Sequence, residues 1–130
     1  MTPDVLSAIE EGSIDPAAFD HRAHVEAAWL LATRCKAPFH EAYARLRAAL
    51  LALATRAGRP DKYHETITLA FLSLVYERLA EGGSASCFDQ FWRDEAASLT
   101  MAHLNARLGS ALSPPAARFG LVLPPAPKHA

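Results

Sequence analysis

Two short stretches of the sequence combine histidines with carboxylate and hydroxyl side chains. The first is Phe19-Asp20-His21-Arg22-Ala23-His24, and the second is Lys62-Tyr63-His64-Glu65-Thr66-Ile67-Thr68. Imidazole and carboxylate groups on facing helices are the ligands from which helical bundles build metal sites. An imidazole and a carboxylate can also transfer protons without a metal. The two stretches therefore predict one polar site, provided that the fold brings them together.

The spacing of apolar residues predicts where the histidines point. His21 and His24 are three residues apart, so they share one face of a helix. His24 is aligned with Leu31, and His64 with Phe71, in each case along an apolar stripe. We therefore expect the imidazoles of His24 and His64 to point into the interior and to approach each other there.

This arrangement predicts a metal site whose candidate ligands are His21, His24, His64 and Glu65. Mixed nitrogen and oxygen ligands suit a divalent transition metal, and zinc, iron, nickel, copper and manganese all remain open. The second nitrogen of a metal-bound imidazole needs an orienting partner such as a carboxylate. If the site is catalytic, we expect His64, Glu65 and Tyr63 to act in metal-assisted hydrolysis or in an oxidative reaction on a small molecule.

Two other interpretations of the same residues stay open. A metal-free enzyme would use His64 and Glu65 as an acid–base pair beside a pocket. A non-catalytic accessory module, such as a homodimer formed through helix faces, would use the polar groups as structural hydrogen bonds. A bond between His24 and Glu65 is one example of such a bond. Whether the protein is an enzyme is left open at this point.

The composition is that of one globular domain. The chain has 130 residues, of which 51% are hydrophobic, enough for a core without disulfides. Its 13 basic and 14 acidic residues nearly cancel and form no basic block, which argues against a nucleic-acid partner. No apolar run has the roughly 18 residues that a membrane span needs, and no signal peptide is evident. Cys35 and Cys87 are predicted to be free thiols, so we expect a cytoplasmic location.

Helical periodicity predicts an all-α, single-domain bundle of four main helices with short extra helices. The main helices are expected at about 20–34, 38–57, 61–82 and from Ser84 or Ser86 onwards, with a break near 98–100. Asp20 is the expected N-cap of the first, and Phe19 is expected to pack back onto it. Thr2 is expected to cap a short helix before them, with Asp4 in its first turn. We assign 1–123 to the bundle and the proline-rich 124–130 to a flexible tail.

The two histidine stretches resemble the motifs of a group of small bacterial helical proteins of uncharacterised function. That group has the pattern F-x-H-x-x-H-x-x-x-A-W, matched from Phe19 to Trp29, and K-Y-H-E-T-x-T, matched from Lys62 to Thr68. The group's usual ending is kept only in part, because Ala117-Arg118 and Leu123-Pro124 are present while its acidic residue is missing. The resemblance implies a bacterial helical protein in which both motifs form one site, and it implies no particular activity.

Overall fold

The fold is known from a computed structural model, which describes residues 4–59, 63 and 65–108. Thr2, Lys62, His64 and the predicted tail at 124–130 lie outside the described residues. Every regular element of the described part is a helix, which confirms the predicted all-α fold. Two of these are short 3-10 helices, Pro16–Ala18 and Ala96–Ser98. The α-helices are α1 (Val5–Glu11), α2 (His21–Thr33), α3 (Phe39–Arg56), α4 (Glu65–Ala80), α5 (Phe88–Glu95) and α6 (Met101–Leu108).

The start of α2 is fixed by the two residues expected to fix it. The Asp20 carboxylate accepts a hydrogen bond from the Ala23 backbone N–H at 2.9 Å, which satisfies one of the free donors at the helix start. The Phe19 ring packs against His24 with 5.2 Å between the ring centroids. These two contacts place the imidazole of His24 next to an apolar ring rather than in solvent.

Two predicted helix caps are wrong. Asp4 is the N-cap of α1 and accepts the Ser7 N–H at 2.7 Å, whereas it was expected inside the first turn. Its short carboxylate suits the cap because it reaches the unpaired N–H groups of that turn. The N-cap of α5 is Cys87, not Ser84 or Ser86. Ser84 still accepts the Cys87 N–H at 3.3 Å, so its hydroxyl supports the turn before the helix.

The core is centred on α2, which packs against α1, α3, α4 and α5. Leu31, Leu46, Leu72 and Val75 are almost fully buried at the contacts of α2, α3 and α4. Helix α4 packs against α2 and α3, whereas α2 has more helix neighbours. The start of α2 and the start of α4 are consequently held on the same bundle core.

Two further sequence predictions concern the oxidation state of the cysteines and the crossing of a membrane. Cys35 is half-buried and Cys87 is exposed, and both are free thiols as expected. In the part of the chain that the structure describes, no helix is both long enough and apolar enough to cross a membrane.

Candidate functional site

An open cavity of about 510 Å³ lies between the start of α2, the C-terminal half of α3 and the start of α4. Most of its wall is apolar, with contributions from Phe19, Leu50, Leu53, Ala54 and Ile67. Its volume falls within the range of roughly 300–1,000 Å³ that is typical of pockets for small molecules. The polar side chains in this wall therefore decide what the cavity can bind.

His24 is the polar residue of α2 in this wall. Its Nε2 atom is buried and has no hydrogen-bond partner among the residues that the structure describes. Burial lowers the pKa of the imidazole from 6.5 to about 4, and the nearby His21 adds to this effect. The ring is therefore neutral at pH 7, so a hydrogen bond to its nitrogen would involve no charge.

Tyr63, immediately before α4, is the second polar residue with an unsatisfied group. Its side chain is 7% exposed, and within the described part of the chain its hydroxyl has no hydrogen-bond partner. Burial raises the pKa of the phenol, while the nearby Thr68 side chain and the charge of Arg47 oppose the rise. The phenol thus keeps its proton at pH 7 and is a hydrogen-bond donor in a residue that lines the cavity.

A much smaller internal void of about 10 Å³ shares His24 and Thr68 with the cavity. Its other lining residues are mainly core side chains, among them Leu46 and Leu72. This volume is close to the space that one water molecule needs. The His24 side chain therefore lies where the open cavity meets the packed core.

The structure directs His21 away from the cavity. Its Nε2 atom lies 2.6 Å from the Leu99 carbonyl oxygen, and because a carbonyl can only accept, the ring nitrogen donates. The ring also meets Phe71 and Trp92 edge-on, with centroid distances of 5.2 and 5.9 Å. His21 lines the small void but not the cavity, and it fastens the start of α2 to the segment before α6.

Glu65 is also directed elsewhere. It is buried, and both of its carboxylate oxygens lie 3.0 Å from the Nε atom of Arg47 on α3. Burial raises the pKa of this carboxyl, and the Arg47 guanidinium stabilises the charged form. The hydrogen bond between His24 and Glu65 considered from the sequence does not form between these two described residues. Glu65 instead ties the start of α4 to α3.

The structure thus brings two of the predicted site residues, His24 and Tyr63, to one cavity. His64 lies outside the described residues, so its predicted pairing with His24 stays a prediction, as does the predicted metal. Across residues 4–59, 63 and 65–108, no group of three or more His, Cys, Asp or Glu side chains is arranged to hold a metal ion. Sequence reasoning missed Arg59, which lines the cavity just beyond α3.

Comparison of the chain with family models, with curated proteins and with solved structures gives no match.

Proposed function

We propose that the protein binds a small, mainly apolar molecule in the cavity and that His24 and Tyr63 make its polar contacts. The observation that supports this most is the presence of two buried polar atoms without hydrogen-bond partners at one apolar cavity. A buried polar atom without a partner costs about 1–3 kcal/mol in the free protein. A ligand that bonds to both atoms recovers this energy on binding.

The protonation states of the two residues define the polar part of the ligand. With a pKa of about 4, His24 carries no positive charge at pH 7 and does not attract an anion by charge. Tyr63 is protonated and donates. A hydroxyl or carbonyl group satisfies both residues without bringing a charge into an apolar wall. A general base works best with a pKa near the working pH, so the depressed pKa of His24 favours binding over base catalysis.

The experiment that tests the proposal is a calorimetric titration with 2-naphthylmethanol, a rigid apolar ligand with one hydroxyl group. The wild-type protein is compared with Ala54→Phe, which fills the cavity from α3. The matched control is Ala52→Phe on the same helix, because Ala52 is exposed and does not line this cavity.

We expect the wild type and Ala52→Phe to bind equally. Ala54→Phe should bind at least about tenfold more weakly, because the added ring overfills the site and lowers the binding free energy by ~1.4 kcal/mol. Absence of binding to the wild type, or the same affinity in both variants, would contradict the proposal.

A divalent transition metal is the second candidate, and the His24 nitrogen is the observation that favours it. Metal binding competes with protonation of an imidazole, and the lowered pKa of His24 keeps its ring neutral at pH 7, so one ring nitrogen has a free lone pair. The predicted ligands His21, His64 and Glu65 belong to this proposal, in which Glu65 would exchange its bond to Arg47 for the metal. Elemental analysis of untagged protein should then find near-stoichiometric metal that is lost in His24→Ala. Metal-free wild-type protein that still binds the naphthyl ligand would decide against it.

A cytoplasmic location and a homodimer are further proposals. Two free cysteines in the folded chain support a reducing compartment, where disulfides are rare. Sedimentation velocity tests the homodimer, since it separates the mass of one chain from that of two.

A further inference from the structure

We infer that the ligand of the cavity is a phenol or an aromatic alcohol, and that Phe19 is the residue that selects its ring. This inference rests on the proposed function, because it names the chemical class of the same ligand. Phe19 lies at the start of α2, inside the stretch from 4 to 59 that is described without a gap.

The rings in the described wall of the cavity stand at the starts of α2 and α4. They belong to Phe19, His24 and Tyr63. Helix α3 contributes aliphatic side chains instead, namely Leu50, Leu53 and Ala54. Both residues proposed to make the polar contacts therefore carry rings themselves, and Phe19 adds a third ring that is wholly apolar.

The backbone holds the Phe19 ring at the cavity. Phe19 ends the short 3-10 helix before α2, and its N–H donates to the Pro16 carbonyl at 3.2 Å. The next residue, Asp20, donates its N–H to the Ala18 carbonyl at 3.1 Å and caps α2 with its carboxylate. Phe19 is thus tied between two helices, so little backbone freedom remains to be lost when a ligand packs on its ring.

The half-buried Phe19 side chain contacts His24 and also lines the cavity. Its ring packs on the His24 ring with 5.2 Å between the centroids and 43° between the ring planes. An aromatic ring of a ligand can pair with Phe19 offset or edge-on, at a centroid distance of about 4.5–7 Å. Such a pair is more favourable than the burial of the same apolar area alone. An alkyl group gains only the burial, so Phe19 favours a ring.

The distance between Phe19 and His24 also limits the shape of the ligand. Because the two rings lie 5.2 Å apart, a ligand that packs on Phe19 and bonds to His24 must carry its hydroxyl group close to its ring. A phenol or an aryl-methanol meets this condition, whereas a ring and a hydroxyl group separated by a long alkyl chain do not. 2-Naphthylmethanol is an aryl-methanol of this kind.

The test compares 2-naphthylmethanol with decahydro-2-naphthylmethanol, a saturated analogue that keeps the carbon skeleton and the hydroxyl group but has no aromatic ring. The measured quantity is the ratio of the two affinities, obtained by calorimetry for the wild type and three variants. Phe19→Leu removes the ring and Phe19→Tyr keeps one. Phe39→Leu is the matched control, because Phe39 is also half-buried, pairs with the Tyr76 ring at 5.4 Å and does not line the cavity. Far-UV circular dichroism checks that each variant is folded.

We expect Phe19→Leu to lower the ratio of aromatic to saturated affinity about fivefold, an effect of the size that one aromatic pair gives. The two ligands leave water with different ease, but this difference is common to all variants and cancels when their ratios are compared. Phe39→Leu should leave the ratio unchanged, and Phe19→Tyr should keep most of it. In the wild type, nuclear Overhauser effects should connect the naphthyl protons with the protons of the Phe19 ring.

The outcomes separate this inference from the proposed function. If the wild type binds both ligands and Phe19→Leu keeps the wild-type ratio, the inference is overturned and the proposed function stands. A ratio that falls equally in Phe39→Leu, or as far in Phe19→Tyr as in Phe19→Leu, also overturns the inference. If Phe19→Leu does not fold, the Overhauser effects in the wild type decide, since their presence supports the inference and their absence overturns it. If the wild type binds neither ligand, the proposed function fails and the inference fails with it.

Discussion

Protonation of His24 should make the stability of the fold depend on pH in a defined way. The imidazole has a pKa of about 4 in the folded chain and an ordinary value of 6.5. Because the folded pKa is the lower one, its contribution to stability is fully present above about pH 6.5. The contribution is lost as the pH falls through 4. At 1.36 kcal/mol for each pKa unit, the difference corresponds to about 3 kcal/mol.

The assay is urea unfolding of the wild type, His24→Gln and His24→Phe at several pH values between 7.5 and 4. All other titrating groups are common to the three proteins, so the difference in unfolding free energy isolates His24. We expect the wild type to lose about 3 kcal/mol more than either variant over this range. The unfolding free energies of the two variants should change with pH in the same way. Both lack the titrating imidazole, although Gln and Phe differ in polarity. A difference that stays constant with pH would refute the assignment of a buried, neutral imidazole.

Three further predictions concern residues around the site and the core. Tyr63→Phe removes a buried hydroxyl that lacks a partner in the described structure, so thermal and urea unfolding should show a free energy of unfolding that is higher by about 1 kcal/mol. Calorimetry on the same variant should show weaker binding of 2-naphthylmethanol. Arg47→Ala should lower the free energy of unfolding by about 2 kcal/mol at pH 7 and by less near pH 4, because protonated Glu65 needs no cationic partner. An equal loss at both pH values would contradict this. Leu72→Ala should lower the free energy of unfolding, measured with urea, by about 3 kcal/mol, since the side chain is fully buried. A loss below 1 kcal/mol would mean that the core around Leu72 is loosely packed.

Local patterns in the sequence predicted the elements around the site well. Asp20 and Phe19 act on groups within five residues of themselves, so the capping and ring contact at the start of α2 follow from local chemistry. The break before α6 is likewise local, because the helix is interrupted at the expected Ser98-Leu99-Thr100. Such features need no knowledge of how the helices pack.

The directions of His21 and Glu65 could not be predicted in the same way. Spacing places His21 on the same face as His24, but its partner is a carbonyl 78 residues away in sequence. Glu65 was predicted as a ligand of the site, but its carboxylate bonds to Arg47 on α3. Which long-range partner a side chain finds depends on the relative placement of helices, and the periodicity of one helix carries no such information.

The cavity itself is a consequence of three helices meeting at one end of the bundle. Its wall combines the start of α2, the end of α3 and the start of α4, so no single stretch of sequence reveals it. Arg59 was missed for this reason, since in the sequence it is only a charged residue between Gly58 and Pro60. The inward direction predicted for His24 did follow from its apolar neighbours.

The most direct test of the account is the ¹⁵N NMR signal of the His24 ring, measured in histidine-labelled protein at pH 7. In the free protein we expect the chemical shifts of a neutral imidazole. On titration with 2-naphthylmethanol, the Nε2 resonance of His24 should move in the wild type and stay fixed in Ala54→Phe. A charged imidazole in the free protein, or a His24 signal that ignores the ligand while the ligand binds, would contradict the claim that this residue makes the polar contact inside the cavity.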